Sequence, residues 1–160
     1  MHAAAKPYVA VIGASQATAA DLEDAREVGR LLGEAGAVVV CGGRGGVMAA
    51  ASRGAAEAGG MVVGMLPGDG REDANEWVTV AIPTGLGELR NGLIIRSADA
   101  VIAVGGAYGT LSEIALALQA GLSVQGLHSW DIEGVDAVGS PQAAVAAALA
   151  AGRGRTGQQG

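Results

Sequence analysis

A chain of 160 residues is the length of one domain and is long enough to bury a core. Half of it is hydrophobic, which excludes a largely disordered chain, and a net charge of −6 repels phosphate backbones, so no nucleic-acid partner is expected. With no phenylalanine and only 2% aromatic residues, the core is expected to rest on Val, Ile, Leu, Ala and Met, with no aromatic platform for nucleic-acid bases.

Cys41 is the only cysteine and cannot form an internal disulfide, which fits a reducing compartment. Met1 to Lys6 hold no long apolar run, and charges or glycines interrupt every later one. Neither a signal peptide nor a membrane span is predicted, and a cytoplasmic protein is expected.

The run Tyr8–Gly13 (YVAVIG) predicts a buried strand, and Gly13-Ala14-Ser15 turns the chain. Thr18 and Asp21 predict a capping box for a helix whose apolar stripe is Leu22, Ala25, Val28 and Leu32, with Gly36 as its C-terminal cap. Ala37–Cys41 is the second expected strand and runs into Gly42-Gly43-Arg44-Gly45-Gly46. An alanine-rich helix over Val47–Ala58 ends at Gly59-Gly60, and Met61–Leu66 is the third strand, closed by Pro67-Gly68. Asp69–Glu76 reads as a loop and Trp77–Ile82 as a fourth strand. A helix over Glu88–Ser97, a strand over Ala100–Val104 and a second glycine loop, Gly105–Gly109, follow. Thr110–Gln119 is expected to be helical and Leu122–Leu127 extended, while His128–Gly139 gives no clear element. Ser140-Pro141 opens a final helix to about Ala151, and Arg153–Gly160 reads as a frayed tail.

Strands alternate with helices, and the strands are nearly continuous apolar runs. That pattern predicts an α/β fold, a Rossmann-like three-layer sandwich with a mainly parallel sheet. The expected organisation is an N-terminal tail (1–7), a single Rossmann-like nucleotide-binding domain (8–151) and a disordered tail (152–160).

In such a sheet ligands bind beyond the carboxyl ends of the strands. Gly13–Ser15, Gly42–Gly46 and Gly105–Gly109 all leave predicted carboxyl ends, which aims backbone N–H groups and two helix starts at one place and favours an anion. The first strand is followed by Gly13-Ala14-Ser15-Gln16, which matches neither the dinucleotide fingerprint nor a Walker sequence. No metal-ligand cluster is expected, and no cofactor is required for folding.

Gly42-Gly43-Arg44-Gly45-Gly46-Val47-Met48 resembles the first glycine motif of the LOG-like superfamily, once widely labelled "lysine decarboxylase". Gly105-Gly106-Ala107-Tyr108-Gly109-Thr110-Leu111-Ser112-Glu113 resembles its second motif, PGGxGTxxE. The resemblance spans roughly Tyr8 to Leu127, with both motifs in order. Decarboxylation is not expected, because Lys6 is the only lysine and precedes the first strand. Two branches of the superfamily remain. In the phosphoribohydrolases, which cleave nucleoside 5′-monophosphates, the resemblance implies Arg90 and Glu113 as the active-site pair and Gly109 and Thr110 at the phosphate. The other branch, the molybdenum-cofactor carriers, binds a phosphorylated pterin. Gly105 in place of proline, Ala107 in place of glycine and Arg90-Asn91 in place of Arg-Lys point to the carrier branch. A third alternative is a nucleotide-sensing subunit that works only with a partner.

The expected ligand-binding set is Gly13, Ser15, Gly42, Gly43, Arg44, Gly45, Gly46, Met48, Arg90, Asn91, Gly105, Gly106, Tyr108, Gly109, Thr110 and Glu113. Its ligand is either the molybdenum cofactor or a nucleoside monophosphate. Two members have a plainer alternative: Glu113 as the capping-box partner of Thr110, and Arg90 as a surface arginine. A phosphate is expected on the N–H groups of Gly109, Thr110 and Leu111, with the Thr110 hydroxyl as a donor and Gly109 at positive φ. Cys41 reads as a buried small hydrophobe and His128 as an inert loop histidine. A homo-oligomer, dimer or tetramer, is what the resemblance implies, and the small faces of Val47–Ala58 and Ala143–Ala151 fit it.

Overall fold

The computed structural model describes residues 5–156, with side chains described as far as Arg153. The elements run β1 (Tyr8–Gly13), α1 (Ala19–Glu34), β2 (Val38–Cys41), α2 (Val47–Glu57), β3 (Met61–Leu66), β4 (Val80–Pro83), α3 (Arg90–Arg96), β5 (Ala100–Val104), α4 (Tyr108–Gln119), β6 (Ser123–Leu127), β7 (Val135–Val138) and α5 (Pro141–Thr156). The strands form one seven-stranded sheet in the order β4-β3-β2-β1-β5-β6-β7, and every pair is parallel. Strand order reverses between β1 and β5, so a crevice opens above their carboxyl ends.

Strand geometry divides the core. Successive residues of a strand point to opposite faces, so a continuous apolar run supplies two layers at once. Val9 and Val11 join Val28, Ala51 and Ala148 under α1, α2 and α5. Ala10 and Ile12 join Ile95, Ile114 and Ala117 under α3 and α4. The result is the expected α/β sandwich.

Helices α1 and α2 meet backbone to backbone. A β-carbon on Gly29 would lie 2.0 Å from the Ala51 carbonyl oxygen, and one on Gly54 would lie 1.9 Å from that of Arg26. The small face of α2, expected to serve association between chains, is thus spent on α1. Ala144 and Ala148 of α5 are likewise buried within the chain.

Several boundaries differ from the sequence reading. The fourth strand begins at Val80 rather than Trp77, because the Asn75 carboxamide oxygen accepts from the Trp77 N–H at 3.0 Å and holds a turn there. Strand β7 lies in the segment that gave no clear element; it is four residues long and follows Gly134 at φ 98°. Helix α5 continues to Thr156, so residues 152–156 are helical rather than a tail; 157–160 and 1–4 fall outside the described residues. The Thr18 half of the predicted capping box forms, its hydroxyl accepting from the Asp21 N–H at 3.1 Å, while the Asp21 carboxylate faces Gly105 instead. Among the described residues no helix is long and apolar enough to cross a membrane.

Candidate functional site

The three expected loops do share one edge of the sheet, at the ends of β1, β2 and β5. The first two are locked together. Gly46 caps α2 at φ 66°, and a β-carbon there would lie 2.3 Å from the Ala14 carbonyl oxygen and 2.4 Å from that of Ser15. The Val47 N–H donates to the same Ala14 oxygen at 3.1 Å, so the first turn of α2 is partly satisfied from within. Gly13 is pressed between Val47 and the Val104 carbonyl. These two glycines serve packing.

Asn75, which sequence reasoning missed, braces the second loop. Its backbone N–H donates to the Gly43 carbonyl at 2.8 Å, and its side-chain amide reaches the carbonyls of Gly43 (3.2 Å) and Arg44 (2.9 Å). Gly43 sits at φ 77°, whereas Gly45 faces open space. Arg44 is exposed and forms no ion pair among the described residues.

The loop after β5 is open. Gly105 and Gly106 sit at φ 58° and 152°, and Ala107 caps α4 with extended backbone. The helix starts at Tyr108, two residues before the predicted Thr110. Thr110 is therefore the third helical residue; its hydroxyl accepts from the Ala107 N–H at 3.4 Å, and the residue is only 2% exposed. The Leu111 N–H is taken by the Ala107 carbonyl at 3.0 Å, so it is not one of the free donors. Among the described residues the N–H groups of Tyr108, Gly109 and Thr110 make no hydrogen bond. Gly109 is not at positive φ, contrary to expectation, and a β-carbon on it would meet nothing within 4 Å.

Arg90 and Glu113 come together across α3 and α4. The Arg90 Nε donates to the Met65 carbonyl at 2.8 Å and its Nη1 to Asn91 Oδ1, which holds the half-buried guanidinium in place. Gly42 makes room for it: a β-carbon there would lie 2.6 Å from Met48 Sδ and 2.7 Å from Arg90 Nη2. Arg90 is thus no free surface arginine.

Glu113 is 8% exposed and has no hydrogen bond or ion pair among the described residues, so it does not cap Thr110. Burial pushes its carboxyl up to about 7, against the pull of the nearby Arg90 guanidinium. Burial also lowers the Arg90 pKa from its ordinary value, with Glu113 opposing and Arg44 adding to the effect. Cys41 is fully buried beside Ser52, 3.5 Å between Sγ and Oγ, and burial raises its thiol pKa, as befits an inert core residue.

Two neighbouring features extend beyond the expected set. A cleft of about 900 Å³ between α1 and α2 takes Ser15 and Gly46 from that set, but its Arg26 and Arg53 share Glu57. A hollow of about 330 Å³ is lined by Gly105, Gly106, His128, Ser129, Trp130 and Asp131. Trp130 stacks with Tyr108, which belongs to the expected set. His128 lies 3.5 Å from Asp24. Trp130 belongs to the segment that gave no clear element; a rare tryptophan in a loop was its only signal.

Electrostatics favour an anion on one side of this edge. Arg44 and Arg90 flank Gly42, and the unpaired N–H groups of α4 add partial positive charge. The Asp21 carboxylate beside Gly105 opposes an anion on the α1 side. A buried carboxyl with no partner, Glu113, faces the basic side as an acceptor or proton donor.

The sequence profile of the SLOG cluster4 family matches residues 6–151. An uncharacterized protein of Archaeoglobus fulgidus is 42% identical over 138 residues, covering 86% of this chain and 91% of that protein. The molybdenum cofactor binding protein of Rippkaea orientalis is 38% identical with a TM-score of 0.83, covering 88% of this chain and 93% of that one. The Moco carrier protein of Chlamydomonas reinhardtii is 32% identical with a TM-score of 0.82, covering 92% and 98%. With both glycine loops, Arg90 and Glu113 inside the matched span, the chain belongs to the SLOG cluster4 family.

Proposed function

We propose that this chain is a binding or carrier protein for a phosphorylated, nucleotide-like or pterin-like ligand, with the molybdenum cofactor as the leading candidate. The observation that carries the reading is the start of α4. Three backbone N–H groups without partners open beside Gly109, which has no side chain to block them. Arg44 and Arg90 supply positive charge, and Glu113 supplies a buried acceptor for a ligand N–H or O–H. An acidic protein can hold a single phosphate this way with no lysine at the site. Likeness to proteins named for binding or carrying molybdenum cofactor supports the choice of ligand class. Native mass spectrometry of protein purified from cells that make the cofactor tests it. A retained phosphorylated pterin is expected, and protein that emerges empty and binds no phosphorylated probe contradicts the reading.

A second reading is favoured by one pair of residues. Glu113, with its carboxyl near 7, lies within electrostatic reach of Arg90, an arrangement that suits stabilisation of an oxocarbenium-like transition state in N-glycosidic cleavage. Under that reading, AMP releases free adenine and Glu113→Gln stops it.

The chain is further proposed to work as a homo-oligomer. Leu86, Leu89, Leu93 and Leu116 are exposed on or beside α3 and α4, Leu89 at 78%, an apolar surface that association would cover. Sedimentation as a monomer at micromolar concentration contradicts this.

A further inference from the structure

We propose that Tyr108 and Trp130 form the platform on which the planar, fused heterocycle of the ligand lies, while its phosphate sits at the start of α4. The inference rests on the proposed phosphate site and adds the part that recognises the ring. The chain has two tryptophans, two tyrosines and no phenylalanine. One of each meets at this single place, with ring centroids 6.2 Å apart and planes at 29°. Tyr108 is 83% exposed, a large aromatic surface left to water at the first residue of the helix that offers its N–H groups.

Trp130 is fixed rather than loose. Its Nε1–H donates to the Ala107 carbonyl at 3.3 Å, and a β-carbon on Gly106 would lie 3.0 Å from Nε1. Gly106, at φ 152°, therefore lets the indole close against the backbone that leads into α4, where a β-carbon would also meet Thr110 at 3.3 Å. The adjoining hollow of about 330 Å³ is at the small end of the range for small-molecule sites. Ser129 lines this hollow, and among the described residues its buried hydroxyl makes no hydrogen bond. Every base or pterin has a π-face, so an exposed aromatic pair beside a phosphate site accepts either, and polar groups around it choose between them.

The test uses the full chain carrying Trp77→Phe, so that Trp130 is the only fluorescent indole. Three probes are titrated: AMP, dihydroneopterin 3′-phosphate and ribose 5-phosphate. The two ring-bearing probes are expected to quench Trp130 emission, and the tighter of them to lose about tenfold in affinity in Tyr108→Ala and in Trp130→Ala, the loss expected for one base–aromatic stack. Trp130→Phe, which keeps the ring face, is expected to retain most of the affinity and covers the case in which Trp130→Ala fails to fold. Ribose 5-phosphate is expected to bind all variants equally. Ring-bearing probes that bind Tyr108→Ala with the parent's affinity and leave the parent's Trp130 emission unquenched overturn the platform and leave the phosphate site standing. So does an equal loss for ribose 5-phosphate. Failure of all three probes to bind the parent overturns both.

Discussion

The loops after β2 and β5 carry similar glycine clusters and do different work. In Gly42–Gly46 all the glycines but Gly45 are used up by the fold: Gly46 lies under two backbone carbonyls, Gly42 under Met48 and Arg90, and Asn75 ties down Gly43 and Arg44. In Gly105–Gly109 the positive φ angles sit at Gly105 and Gly106, while Gly109 faces open space and the helix start keeps donors unpaired among the described residues. The glycines of one cluster chiefly build the edge of the sheet and carry Arg44 there, while the other cluster keeps its backbone donors open. Substitutions separate these roles, and their expected free-energy effects run from large to small.

Gly46→Ala is expected to cost most. It places a side chain at φ 66° and a β-carbon within 2.4 Å of two carbonyl oxygens, so a loss of about 2–5 kcal/mol is expected in urea unfolding. A loss below about 1 kcal/mol would mean that the β1 and β2 loops are not locked together.

Glu113→Gln follows, with a pH signature. The folded carboxyl keeps its proton to about 7, whereas the ordinary value is 4.5. The folded state therefore binds more protons between those values. The contribution is fully present below 4.5 and is lost as pH rises through 7. Glu113→Gln is expected to stabilise the protein by up to roughly 3 kcal/mol at alkaline pH and to change little in acid. Equal effects at both ends would show that the carboxyl is not held protonated by burial.

These two predictions mark where sequence was informative. Tyr8–Gly13, Met61–Leu66 and Ala100–Val104 match β1, β3 and β5 end for end, because apolar runs closed by glycine or proline fix both ends of a buried strand. Edge strand β7 was invisible, since Asp136 and Ala137 are exposed and leave no apolar run. The set Gly42, Arg90 and Glu113 was named from motifs and does meet. The helix start was misplaced, because Thr110 looks like a cap from its own spacing and acts instead from the third helical position towards Ala107. Asn75 and Trp130 gain their roles from partners 32 and 23 residues away, which local patterns do not encode.

Arg90→Ala comes next. Losing a charge-assisted hydrogen bond is expected to weaken binding of a phosphorylated ligand by about 1.5–3 kcal/mol, read by calorimetry. It also removes the cation that lowers the Glu113 pKa, so the pH at which stability levels off is expected to rise. An unchanged affinity in a folded variant would remove Arg90 from the site.

Gly109→Val has the smallest expected effect on the fold and bears most directly on the central claim that the start of α4 holds the phosphate. Its β-carbon meets nothing within 4 Å and its φ is not in the left-handed region, so stability is expected to change by less than about 1 kcal/mol. The branched side chain would nevertheless stand over the unpaired N–H groups of Tyr108, Gly109 and Thr110. Calorimetric titration of this variant with ribose 5-phosphate, beside its urea unfolding curve, is the decisive measurement. The account predicts a near-native midpoint with no detectable binding. A folded Gly109→Val protein that binds with wild-type affinity would contradict it.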